Sequence, residues 1–337
     1  MRRLNPYRLF LLFGLTLFTS NIFAQQITEF SQYLNNTYLI NPAATNISNQ
    51  WNLDFSVRKQ ESIRINDINS YYMSAYGAIK SSNPRQKMSN GFRLNKFVDN
   101  STIKAFDPKP IPVLGAIISK DNFGLIEKTT FHVTTGMHLP LNARYSLSTA
   151  ATIGHVQLNV SDEYFVLEDN DLPFNQFITG FNKEKFLDLG LGIWLYSDQL
   201  QLGYGIKRLF SGNSQDQESE EGFKIRNQHL LSAGYRFKIN SDWQLISSLL
   251  HRVSPYEKNT SDYSMKFIYK ENLWTTFSLR KEKTLVFNLG VKLSDSISFS
   301  YSYDHGSKNQ GLESLPANEI SFRFSTSSSK KGLNSKR

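Results

Sequence analysis

The chain has 337 residues, of which 39% are hydrophobic, 13% aromatic and 20% charged, with no cysteine and a mean hydropathy of -0.40. These figures exclude a bundle of membrane helices, a disulfide scaffold, thiolate metal sites and a cysteine nucleophile. The net charge of +9 does not point to nucleic acid, because Arg2, Arg3 and Arg8 at one end and Lys330, Lys331, Lys336 and Arg337 at the other carry most of it. The body between them has no basic stripe, zinc-finger spacing or helix-turn-helix pattern.

Met1 to Arg8 is a basic stretch, Leu9 to Phe18 is apolar apart from Gly14 and Thr16, and Ile22-Phe23-Ala24 ends in a small residue. That layout predicts a secretory signal peptide over 1–24, since the apolar run is about half of what a spanning helix needs. The expected mature chain starts at Gln25 and holds no later run of ~18 apolar residues, so any membrane span must be made of strands.

Residues 25–50 are expected to form an irregular N-terminal segment. Gln26 to Asn46 reads QITEFSQYLNNTYLINPAATN, with Phe30, Tyr33, Tyr38 and the Asn41-Pro42 turn signal, and has neither helix nor strand period. Aromatics and amides in an irregular segment need a host surface. The segment reads either as a plug or partner contact or as a periplasmic tail that packs on the following domain.

From 51 to 325 the period is two. Leu285, Phe287, Leu289, Val291 and Leu293 alternate with Asn288, Gly290, Lys292 and Ser294, and Ile297, Phe299, Tyr301 and Tyr303 restart the pattern after Ser294-Asp295-Ser296. About fourteen such runs follow one another, many reaching the nine to eleven residues that a tilted strand needs to cross a bilayer. Tight turns are expected at Pro140 to Asn142, Ser197-Asp198, Asn240-Ser241, Lys270-Glu271 and Ser294-Asp295. Long polar loops are expected at Ser161 to Lys185, Leu209 to Ile225, Val253 to Ser261 and His305 to Pro316. Short turns on one rim and long loops on the other describe a transmembrane antiparallel β-barrel of about 14 strands. A secreted sandwich or propeller also alternates, but the run Tyr145 to Leu158 exceeds the usual soluble strand, and the polar parity is rich in Gly, Ser, Thr and single charges, as a wet lumen would be. A parity break predicts a bulge near Gly154 and His155. Ser81 to Pro112 has room for a further hairpin around Phe92 to Phe97, and 326–337 is a Ser-rich basic tail.

The chemistry on offer is sparse. His132 and His138 share one parity of one strand and are expected to face the lumen about 20 Å apart, too far to share a metal ion. No G-x-S-x-G motif is present, and His251 and His305 sit in ordinary strand and loop contexts. Carboxylates cluster in loops, at Asp162, Glu163, Glu168, Asp169 and Asp171 and at Asp216, Glu218, Glu220 and Glu221, without the ligand spacing of a calcium motif. No catalytic residue, cofactor or metal is expected.

The phrase FSQYLNNTYLINPA at Phe30 to Ala43 resembles the opening signature of the PorP/SprF family of Bacteroidetes outer-membrane proteins. DNFGLIEKTTFHVTTGMHLPL from Asp121, FLDLGLGIWLYSDQLQLGYGIKRLF from Phe186, HLLSAGYRFKINSDWQL from His229, the stretch from Ile268 to His305 and NEISFRF ending at Phe324 follow in the family's order. The resemblance covers nearly the whole expected mature chain. It implies an outer-membrane barrel of the type IX secretion system that docks, helps export or anchors a cargo protein, such as a gliding adhesin, through the cargo's C-terminal sorting domain. Partners would be that cargo, other secretion components and outer-membrane lipid. The tail after Ser325 departs from members that end at the last aromatic strand. A passive channel for small or hydrophobic solutes is the alternative, and an outer-membrane lipase or protease a more distant one.

Overall fold

Side chains on an extended chain alternate between two faces, so a segment with apolar residues on one parity and polar ones on the other folds stably only between two different media. The computed structural model describes residues 30–45, 51–61, 68–79, 109–124, 126–142, 144–160, 184–209, 211–213, 227–255, 257–280, 284–306 and 315–326. The expected signal peptide, the stretch around Phe92 to Phe97, the two acidic clusters and the tail beyond Thr326 lie outside them.

Among the described residues, fourteen long strands form one antiparallel sheet that closes on itself. They are β1 (Asn52–Gln60), β2 (Ile68–Ala78), β3 (Ile111–Phe123), β4 (Ile126–Pro140), β5 (Ser146–Val160), β6 (Glu184–Tyr196), β7 (Leu200–Lys207), β9 (Gln228–Lys238), β10 (Trp243–Ser254), β11 (Glu257–Tyr269), β12 (Leu273–Arg280), β13 (Thr284–Lys292), β14 (Ile297–His305) and β15 (Ala317–Ser325). The three-residue β8 (Ser211–Asn213) continues β7 along β6 after a break at Arg208, whose φ is 58°. Each strand pairs with its chain neighbours, β1 closes on β15, and both termini of the sheet lie on the short-turn rim.

The burial pattern is inverted relative to a soluble protein. Outward-facing Phe55, Leu285 and Phe277 are 46%, 57% and 52% exposed, whereas inward-facing Asp262, Glu319 and Lys266 are 0%, 0% and 2% exposed. An apolar surface on every strand is stable only against lipid, and the polar inner face only against partners that satisfy it. Outer aromatics touch across strands, as Trp243 does with Tyr269 at 4.8 Å and Phe277 with Phe287 at 5.4 Å between ring centres.

Two details differ from the sequence reading. Val253 to Ser261 is not a long loop: β10 runs to Ser254 and β11 begins at Glu257, with a register shift between Arg252 and Ser254. No bulge occurs near Gly154 and His155, where β5 pairs without interruption with both β4 and β6. Val156 keeps the inward parity and is buried inside. The parity broke in the sequence because an apolar residue faces the interior, not because the strand slips.

Candidate functional site

Residues 30–45 cross the barrel interior from the half near the long loops, at Phe30, down to the short-turn rim, at Thr45. The segment is a series of turns: Asn35 and Asn36 N–H donate to the Gln32 carbonyl, Thr37–Leu39 forms one 3-10 turn, and Asn41 N–H donates to Thr37. Its amides replace the missing regular bonds. Asn41 Oδ1 accepts the Ala43 N–H at 2.9 Å while its Nδ2 donates to the carbonyls of Ile193 and Tyr204, at 3.0 and 3.1 Å. This is why Asn41-Pro42 reads as a turn in sequence and sits as an anchor on β6 and β7.

The upper end is held by charge. Arg252 and Arg280 flank Asp262 at 2.9 and 3.3 Å, Arg280 and Arg58 flank Asp304 at 3.7 and 2.7 Å, and Arg58 approaches Glu319 at 3.9 Å. Ser31 enters this chain: its N–H donates to Glu319 Oε2 at 2.6 Å, its hydroxyl donates to Asp304 at 2.7 Å, and Arg58 donates to the same hydroxyl oxygen. Gln32 Nε2 donates to the Glu319 carbonyl at 3.0 Å and Arg280 to the Phe30 carbonyl at 3.2 Å. Lower down, Asn35 accepts from Lys266 at 2.7 Å through its side chain and from Arg323 through its carbonyl, while Arg323 also pairs with Asp54. Lys207 donates to the Leu39 carbonyl at 2.6 Å. Charges taken from water in this way need several hydrogen-bond partners each, and the segment supplies part of them.

Aromatic contacts complete the seat. Phe30 meets Tyr72 edge-on at 4.5 Å, and Tyr33 packs with Leu34, Ile40, Leu230, Ile246, Leu250, Ile268 and Trp274. Tyr38 leans on Tyr76 at 4.7 Å and donates to Thr134 Oγ1 at 2.6 Å. Burial pushes the Tyr33 and Tyr38 phenols up to about 12. Two wall glycines make the close approach possible: a Cβ on Gly115 would lie 2.4 Å from the Tyr38 hydroxyl, and one on Gly192 would lie 2.1 Å from Asn41 Oδ1.

The structure therefore brings Phe30, Tyr33, Tyr38, Asn41 and Pro42 together inside one lumen. Both histidines face that lumen but have separate partners. His132 Nε2 lies 2.9 Å from Asp188, whereas His138 lies 3.0 Å from Thr45 Oγ1 and 2.9 Å from the Tyr196 hydroxyl. Among the described residues no three His, Asp or Glu side chains gather as a metal site. The expectation that carboxylates cluster in loops is incomplete, since Asp54, Asp121, Asp188, Asp262, Asp304 and Glu319 are buried on the inner face. Sequence reasoning missed Ser31, Gln32, Asn35 and Thr45 and the wall charges that bind them. Single charges on the polar parity were the available signal, but their pairing spans most of the chain. Part of the polar parity faces residues 30–45. What this arrangement does chemically is hold a peptide segment against the inner wall through charge-assisted and amide hydrogen bonds.

No curated protein matches the sequence. Among solved structures, the Acinetobacter baumannii outer membrane protein Omp33 is 8% identical with a TM-score of 0.47, covering 84% of this chain and 99% of its own. The CymD monoaromatic hydrocarbon channel is 10% identical with a TM-score of 0.48, covering 89% and 92%. A deltaS2S3 mutant of the TodX monoaromatic hydrocarbon channel is 10% identical with a TM-score of 0.50, covering 86% and 93%. At such identities the likeness concerns the barrel fold alone. The sequence profile of the type IX secretion system membrane protein PorP/SprF matches residues 22–324. With this barrel and that match over nearly its whole length, the chain belongs to the PorP/SprF family of type IX secretion system membrane proteins and resides in the outer membrane.

Proposed function

We propose that this protein is a non-catalytic, plugged barrel that docks, helps export or anchors one cargo protein through the cargo's C-terminal sorting domain. One observation carries the reading: in a secretion-system barrel, residues 30–45 bond to opposite walls of the lumen. A barrel filled in this way works through its surfaces and loops. Short turns and both sheet termini then face the periplasm, and the longer loops face outward, where an exported domain arrives. Phe30, Tyr33, Tyr38, Asn41 and Pro42 act as the plug, and His138 ties its exit at Thr45. Other secretion components would meet the periplasmic rim.

Quantitative mass spectrometry of surface and culture proteins tests this in a host lacking the gene against its complemented strain. Loss of one or a few large proteins with related C-terminal domains is the expected result. Loss of the whole type IX output would instead make the barrel a core part of the machine, and an unchanged profile would sink the secretion role.

The channel alternative is disfavoured by the same segment. Planar-bilayer recordings of the purified full chain should be silent, and steady conductance would promote the channel.

A further inference from the structure

The outer face carries an asymmetry that neither the plug nor a cargo uses. Along the strands the outward residues are mostly apolar, with a few Thr and Ser among them, and then stop. On the short-turn side the edge is apolar and aromatic, with Trp51, Trp243 and Leu293 exposed. On the long-loop side the first outward residue past the edge is repeatedly basic: Lys59 follows Val57, Lys120 follows Ile118, and Lys185 precedes Leu187. Four of the chain's six histidines occupy the same layer, His155, His229, His251 and His305. The outward carboxylates Glu61 and Glu127 come one outward position further from the membrane, and Glu127 lies 3.1 Å from Lys120.

These imidazoles are held on the barrel wall. His229 stacks on Tyr204 with ring centres 6.1 Å apart and its Nδ1 2.8 Å from the Tyr204 hydroxyl. His251 Nδ1 lies 2.8 Å from Ser261 Oγ, and His155 lies beside the Phe131 ring at 6.1 Å. In His229 and His251 this leaves Nε2, without a further partner among the described residues, for one at headgroup depth. Lysines at the edge of an apolar band lay their stems along acyl chains and lift their charge to the same depth. Phosphate oxygens are the acceptors that best match ammonium and imidazole N–H groups set around the barrel at that depth.

We infer that this layer is a collar that binds the phosphate groups of the phosphorylated glycolipid in the outer leaflet. It rests on the outer-membrane location and on the long loops facing outward, and is independent of the cargo reading.

Native mass spectrometry of the detergent-solubilised full chain tests the collar, with added phosphorylated lipid A, dephosphorylated lipid A or phosphatidylglycerol. The wild type should retain phosphorylated lipid A preferentially. The triple variant Lys59→Gln, Lys120→Gln, Lys185→Gln should lower that retention at least about tenfold while keeping the heat-modifiable mobility of a folded barrel. Lys270→Gln, on the opposite rim, should not change it. Equal retention of the dephosphorylated lipid or of phosphatidylglycerol, an unaffected triple variant, or an equal loss with Lys270→Gln would each overturn the collar.

Discussion

Ser31 shows how much one small residue carries here: its backbone and hydroxyl meet Glu319, Asp304 and Arg58 from three strands. Asp304 is the centre of that cluster, between Arg58 and Arg280. Asp304→Ala removes the nearest counter-charge of Arg58 and one of the two carboxylates beside Arg280, and should cost about 3–5 kcal/mol, read as a lower denaturant midpoint of the refolded barrel. Gly192→Val should displace Asn41 and Pro42 from β6 and raise single-channel conductance while the barrel still folds. The two buried phenols give a pH test. Their ordinary value is 10.0 and burial raises both to about 12, so they stay neutral in the docked segment after free phenols have ionised. Docking is therefore at full strength below pH 10 and weakens as pH rises from about 10 to about 12. Conductance of the wild type across that window checks it, with Tyr33→Phe plus Tyr38→Phe expected to lose part of the dependence.

At the scale of elements, the short turns repeat one device. Asn142, Asn240, Ser197 and Ser294 each accept two backbone N–H groups from the following residues, closing the turn with a side chain. The turn after β11 lacks it and places Lys270 and Glu271 at φ 46° and 59°. That left-handed pair suits Asn-Gly, so Lys270→Asn with Glu271→Gly should stabilise the barrel by about 1 kcal/mol, measured by the same denaturant midpoint. Turn residues and strand alternation are local signals, and all five expected turns lie where Asn, Ser, Asp and Lys-Glu marked them. The loop expected at Val253 to Ser261 misled for an equally local reason. Its Ser, Asn and Thr residues look like loop in isolation, but paired across β10 and β11 they form inner and rim positions of two long strands.

At the scale of the whole molecule, a closed sheet removes every edge, and residues 30–45 bond to several of its strands from inside. Those two facts together favour an adaptor over a pore. Replacing Phe30, Tyr33 and Pro42 together should lower cargo display more than barrel abundance, measured by surface labelling against total immunoblot. Equal loss of both would give the segment a folding role only.

The sequence by itself determined the strand period, the strand number, the lipid-facing parity and the family, because each depends on residues close together or on phrases in order. It also marked Phe30 to Pro42 as a segment in need of a host. Only the tertiary structure decided what that host is. Ser31 and Glu319 are 288 positions apart and Asn35 and Lys266 are 231 apart, and nothing local encodes such a meeting. It follows from closure of β1 on β15, which turns isolated charges on fourteen polar faces into a single buried lining.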